Sequence, residues 1–217
     1  MITIIDCGMG NLRSVAKAFE HIGKKTIITS DRKKILKSSL VVLPGVGSFT
    51  AAMTNLKKLN LTETVKNIIT VGKPFLGLCL GLQILFEKSE EGNCLGLGIF
   101  HGKVRKFSYK RNLKIPHMGW NNIKLQITNY PSTLMSHDRT GKLQIFKDIP
   151  DNSFFYFVHS YYVEPKDKKI IATTTNYGIN FASSVFYKNI FATQFHPEKS
   201  QKNGLKLLKN YVDYTGN

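Results

Sequence analysis

Cys79 stands in the stretch KPFLGLCLGLQILFE, Lys73 to Glu87, flanked by Gly77 and Gly81. A thiol in a G-x-C-x-G pattern is the sulfur counterpart of a serine elbow, in which small neighbours permit a sharp strand-to-helix turn that holds the side chain clear of the backbone. The apolar run Pro74 to Leu78 predicts a buried strand before the turn, and the pattern from Leu80 to Glu87 predicts a helix after it. A thiol at a helix N-terminus is biased toward thiolate, the nucleophilic form. The competing reading is an inert cysteine buried among leucines. A nucleophile also needs a base, and the base needs a group to orient it. QFHPE supplies both: Phe191 to Phe195 reads as a strand, and the period-2 spacing of His196 and Glu198 puts them on one face, with Pro197 ending the strand.

Other residues of reactive type fit this pattern less well. Cys7 and Cys94 form no C-x-x-C pair with each other or with Cys79, so neither a disulfide framework nor a structural zinc site is expected, and nothing calls for a metal or cofactor. Cys7 reads as a packing residue beside a glycine turn and Cys94 as a loop residue. Among the remaining histidines, His21 falls on the first helix, His101 and His137 lie near loops, and His117 and His159 lack an acid two residues on. The glycines of PGVGSF, Gly45 and Gly47, follow an apolar strand and leave backbone N–H groups open to an anion or oxyanion. A tight strand-to-helix connection is the alternative reading of that loop.

These residues must be positioned by a framework, and the composition bounds it. The chain has 217 residues, 42% of them hydrophobic, enough for one sizeable core. No apolar run approaches the length of a membrane span, and the first residues carry no basic segment leading into an apolar one, so a cytoplasmic protein without membrane contact is expected. The net charge of +17 raises the question of nucleic acid. Only five of the 31 basic residues are arginine, the type suited to bidentate recognition, and no nucleic-acid motif is present, so the reading is a solvated basic surface.

Along the chain, Ile2 to Ile5 predicts a strand and Leu12 to Ile22 an amphipathic helix closed by Gly23. Lys25 to Thr29 predicts a second strand, Asp31 the cap of a short basic helix, and Leu40 to Leu43 a fully buried third strand. A lysine-rich helical stretch leads to Gly72. Past Gly92 the segments are short, β-branched or aromatic and spaced by turns, predicting a mainly β half, with a last helix from Lys202 to Tyr214 and a flexible excursion over Tyr130 to Gly141. No linker divides the chain, so one α/β domain over 1–217 is expected.

Taken together, these motifs are similar to those of the class I (triad-type) glutamine amidotransferases, and within them to the glutaminase subunits of imidazole glycerol phosphate synthase. The resemblance spans nearly the whole chain. It rests on GMGNL from Gly8, LPGVGSF from Leu43, the Cys79 elbow, GLGIFHGKV from Gly96, PHMGWN from Pro116, FVHSYY from Phe157 and FHPEKS from Phe195. It implies a flavodoxin-like open sheet with flanking helices and an additional β-rich C-terminal half. It also implies that Cys79 is the nucleophile, His196 the general acid and base, and Glu198 its orienting partner. Gln83, Gly45, Gly47, Ser160 and Tyr161 would hold the substrate glutamine. The oxyanion would meet the N–H of Leu80 and one from the Gly45-Val46-Gly47 loop. Trp120, Asn121, Tyr156 and Lys199 match interface residues toward a (β/α)8-barrel cyclase subunit, which receives the ammonia and forms imidazole glycerol phosphate and aminoimidazole carboxamide ribotide in histidine biosynthesis. Other readings are the same glutaminase serving another synthase, such as a sugar amidotransferase, and a silent binding module on the same fold. Two departures stand out: Cys7 occupies a position where an aromatic is common, and Thr128 to Lys147 follows no family pattern.

Overall fold

The computed structural model describes residues 1–108, 113–126 and 144–216. Strands and helices alternate at first: β1 (Ile2–Ile5), α1 (Leu12–His21), β2 (Thr26–Thr29), α2 (Arg32–Leu36), β3 (Leu40–Gly45), α3 (Phe49–Lys58), α4 (Thr62–Thr70), β4 (Phe75–Cys79) and α5 (Leu80–Gln83). Side chains of Asn11, Asp31 and Ser48 accept from the first-turn amides of α1, α2 and α3, which is why those helices begin where they do. The second half holds β5 (Phe86–Ser89), β6 (Cys94–Leu95), β7 (Phe100–Lys106), β8 (His117–Asn122), β9 (Lys124–Leu125), β10 (Phe154–His159), β11 (Tyr161–Pro165), β12 (Ile171–Asn176), β13 (Asn180–Tyr187) and β14 (Ile190–Thr193) before α6 (Gln201–Tyr214).

One sheet runs in the order β2-β1-β3-β4-β14-β13-β11-β7-β5-β6, with β12 and β9 branching from β13. Its first five strands pair in parallel and repeat the flavodoxin-like order, with β14 in the fifth place although it comes from the far end of the chain. From β14 onward the neighbours β13, β11 and β7 are antiparallel. The pleat sends alternate residues into two cores. On β3, Leu40 and Val42 join the side of α1 and α6, while Val41 and Leu43 join that of α3 and α4. A separate antiparallel pair, β8 with β10, matches Tyr156 to Trp120 and His159 to His117. No helix among the described residues is long and apolar enough to cross a membrane.

Three local expectations are corrected. The helix expected over Leu80 to Glu87 stops at Gln83, and Phe86 opens β5. The carbonyls of Ile84, Leu85 and Phe86, which a continuing helix would offer to its own amides, accept instead from Leu97, Ile99 and Gly98. The strand expected to reach Phe195 ends at Thr193, and Glu198 lies on a 3-10 turn, Pro197–Lys199. Cys94, expected in a loop, opens the short strand β6. The excursion expected over Tyr130 to Gly141 lies outside the described residues.

Candidate active site

Brought to one end of the sheet by the parallel register are the carboxyl ends of β3, β4 and β14. Gly45 pairs with Cys79, and Thr193 pairs with Leu78, so the residues following β14 lie beside the cysteine. Open parallel sheets carry their ligand sites at this end. Cys79 itself turns the chain from β4 into α5 with φ +53° and ψ −103°, a region that costs a non-glycine residue about 1–3 kcal/mol. The turn closes because its neighbours lack side chains. A Cβ at Gly77 would lie 2.7 Å from the Gly81 carbonyl oxygen, and one at Gly81 would collide with that of Leu43. With only four residues, α5 provides one turn of N–H groups at the sulfur rather than the longer helix expected.

The Cys79 side chain is buried, with Sγ 3.6 Å from Gln194 Nε2 and 3.8 Å from the carbonyl oxygen of Val158. Beyond Gln194 the chain is fixed by two bonds to the β10 region: His196 N–H donates to the Tyr156 carbonyl, and Ser200, which accepts from Tyr156 N–H, donates to the His196 carbonyl. The imidazole and its acid are both buried, with Nδ1 2.8 Å from Glu198 Oε1. The 3-10 turn, not a strand pleat, makes that pairing. Nε2 of His196 is buried with no hydrogen-bond partner among the described residues. Burial alone would hold the ring neutral, but the adjacent Cys79 sulfur and the Glu198 carboxylate outweigh it and push the imidazole up from 6.5 to about 10.

A cavity of about 240 Å³ opens over the sulfur. Val46, Gly47, Leu80, Ser160 and Tyr161 line it, and Gln83 reaches it from α5. The structure therefore collects at one place every residue expected around the substrate except Gly45, which sits at the end of β3 against Leu80. Among the described residues the single carboxylate on the wall is that of Glu91, which also accepts from Phe49 N–H at the start of α3 at 2.7 Å. Nothing in the spacing of SEEG marked it out from its neighbours.

His159, which lines the same cavity, belongs to a buried histidine pair with His117, and both lack the acid neighbour that would have drawn notice in the sequence. His159 Nδ1 donates to the Tyr161 carbonyl at 2.8 Å, so its Nε2 accepts from His117 Nδ1 at 2.9 Å, and His117 Nε2 accepts from the Asn121 amide at 3.2 Å. Burial pushes His117 down to about 4 and His159 down to about 3, so both rings are neutral.

Of the four expected interface residues, three share a face. Trp120 and Tyr156 are cross-strand partners with rings edge-on at 6.0 Å, and Lys199 Nζ lies 5.7 Å from the Tyr156 ring centre. Met118, Trp120 and Phe154 are all exposed there. Asn121 alternates onto the other face, where its amide bonds His117 and the Asn176 carbonyl. No group of three or more His, Cys, Asp or Glu placed to hold a metal ion occurs among the described residues.

The arrangement of a strained cysteine, a buried His–Glu pair beside its sulfur and a cavity open to that sulfur is that of an acyl-transfer site. Comparison with known proteins agrees with it. Residues 3–213 match the family model described as glutamine amidotransferase class-I. The imidazole glycerol phosphate synthase subunit HisH of Geobacter metallireducens is 45% identical over 217 residues, with 97% of each chain covered. Subunit HisH 1 of Methanococcus maripaludis is 47% identical, covering 98% of this chain and 99% of that one. Among solved structures, PurLQS from Thermotoga maritima shares the fold with a TM-score of 0.71 at 16% identity, covering 98% of this chain and 97% of that one. The chain belongs to the class I glutamine amidotransferases and, within them, to the HisH subunits of imidazole glycerol phosphate synthase.

Proposed function

We propose that this chain hydrolyses glutamine at Cys79 and hands the ammonia to a cyclase subunit with a (β/α)8 barrel docked on the outer face of β8 and β10. The observation that carries the reading is Cys79, on its strained turn in the cavity lining, with the buried His196–Glu198 pair beside its sulfur. The raised imidazole makes the cation the resting form at neutral pH. The thiolate attacks the carboxamide carbon, and the oxyanion forms between the Leu80 N–H and the Val46–Gly47 backbone, where preorganised donors are worth several kcal/mol. His196 gives its Nε2 proton to the departing nitrogen, ammonia leaves, and a glutamyl thioester remains on Cys79. His196, now neutral, takes a proton from water, which attacks the thioester and releases glutamate. Glu198 holds Nδ1–H throughout. Glu91, the one acid on the cavity wall among the described residues, is placed to receive the substrate ammonium group.

The exposed Met118, Trp120 and Phe154 support docking at this face, since contiguous apolar side chains on a surface otherwise rich in lysine mark an interaction site. The test is glutamate release from glutamine by the chain alone and with the candidate cyclase and its ribonucleotide ligand. Strong stimulation by the pair is expected, with Cys79→Ala inactive toward glutamine yet still supporting synthesis from added ammonia. Vigorous activity without stimulation would assign the glutaminase to another synthase, and no activity under any condition would remove the enzymatic reading.

A further inference from the structure

Gln194 occupies the position between the end of β14 and Phe195, where an apolar residue would fill the space without loss of hydration, and it is completely buried. A buried amide is retained at a cost unless its hydrogen bonds are made. Those bonds have only one consistent direction. The Tyr161 carbonyl can only accept, so the nitrogen of the Gln83 amide must face it, at 3.0 Å. The same nitrogen lies 3.1 Å from the Gln194 amide, which must therefore present its oxygen. The nitrogen of Gln194 is then turned toward Cys79 Sγ at 3.6 Å. A backbone carbonyl on β11 thus dictates, through two side chains, that an N–H points at the nucleophile.

A neutral thiol sulfur is a poor acceptor and a thiolate a good one, so an N–H fixed in this direction favours the charged form. The other contact of the sulfur, the Val158 carbonyl at 3.8 Å, accepts only from the neutral thiol and so opposes this bond, and the proton's carrier is His196. We propose that Gln194 is a catalytic residue of this site, donating from Nε2 to the Cys79 sulfur to hold it as the thiolate, and that Gln83 is the residue that positions it. Both protons of the Gln83 amide are engaged in that task, which leaves its oxygen for any contact with substrate. The inference deepens the glutaminase reading, but its first test needs neither glutamine nor a partner.

That test is the pH profile of iodoacetamide alkylation, read at Cys79 by peptide mass, in the full chain and in Gln194→Met, which keeps length and volume but has no donor. Alkylation at neutral pH is expected to slow about tenfold and the profile to move to higher pH, the usual scale for a hydrogen bond to a charged group. Gln194→Glu keeps the bond from Gln83 and turns an oxygen on the sulfur, so a larger loss is expected. Gln83→Leu should reproduce the effect in weaker form, and Gln83→Leu with Gln194→Met should be no slower than Gln194→Met alone. With glutamine and the partner, Gln194→Met lowers kcat and leaves KM unchanged. Unchanged alkylation in variants whose circular dichroism matches the parent overturns the proposal, as does a Gln83→Leu variant that alters only KM. If Gln194→Met does not fold, the alkylation profile of Gln83→Leu decides between the same two outcomes. A shifted alkylation profile in a chain that hydrolyses no glutamine would overturn the functional reading and leave the thiolate assignment standing.

Discussion

At His196 two effects of opposite sign meet: burial disfavours the imidazolium, while the sulfur on one side and the Glu198 carboxylate on the other favour it and win. The ring is thereby charged, as the proposed general acid requires. Glu91 likewise serves two ends, since its one side chain accepts from the first amide of α3 and lines the cavity. Glu91→Gln keeps an oxygen for the Phe49 N–H and removes the charge. In the presence of the partner, steady-state kinetics should show KM for glutamine raised about tenfold or more with kcat changed by less than about threefold, the loss expected for one charge-assisted bond. A fall in kcat at constant KM would instead place Glu91 with the reacting atoms.

The elbow is the element that turns composition into reactivity. Cys79 is held at positive φ because β4 is locked between β3 and β14 and because α5 packs on β3 with no side chain at Gly81. Gly81→Ala would drive a methyl group into the Leu43 carbonyl, and the Leu43 backbone, paired with Gly77 of β4, cannot yield without disturbing the sheet. The expected result is a loss of about 1–3 kcal/mol in a denaturant titration, the range for overpacking a filled interior. Activity should fall further than stability, because the displacement acts directly on Cys79, the proposed nucleophile. A variant of parental stability and activity would show the elbow to be less tightly packed than its geometry implies.

Across the whole molecule, the buried His117–His159 pair links stability to pH. Both rings are neutral when folded, with values near 4 and 3, and would titrate near 6.5 when unfolded. Between about pH 6.5 and 4 the unfolded chain therefore binds protons that the folded chain does not, and the free energy of unfolding falls as pH falls through that window. Each ring contributes a slope of about 1.4 kcal/mol per pH unit where its two states differ fully. His117→Phe should remove one proton's share of that slope, measured as denaturation midpoints from pH 7 to pH 4.5. An unaltered slope would mean that the pair takes up protons in the folded state.

Residue types and spacing alone determined the chemistry on offer. G-x-C-x-G specifies a turn that only small neighbours allow, H-P-E puts an acid within reach of a histidine, and the alternation of strands and helices specifies a parallel sheet, because all of these are properties of a few consecutive residues. The length of the helix after Cys79 was not legible, since its carbonyls are claimed by amides from the loop before β7. Nor were Gln194, Glu91 and the His117–His159 pair, none of which stands out from its neighbours in sequence. They acquire partners only when β14 inserts beside β4, β11 crosses the end of α5, and β8 pairs with β10. Strand order and register are pairings between distant segments, settled by which faces can be buried together, so local pattern names the reactive groups and only the assembled sheet decides what each one touches.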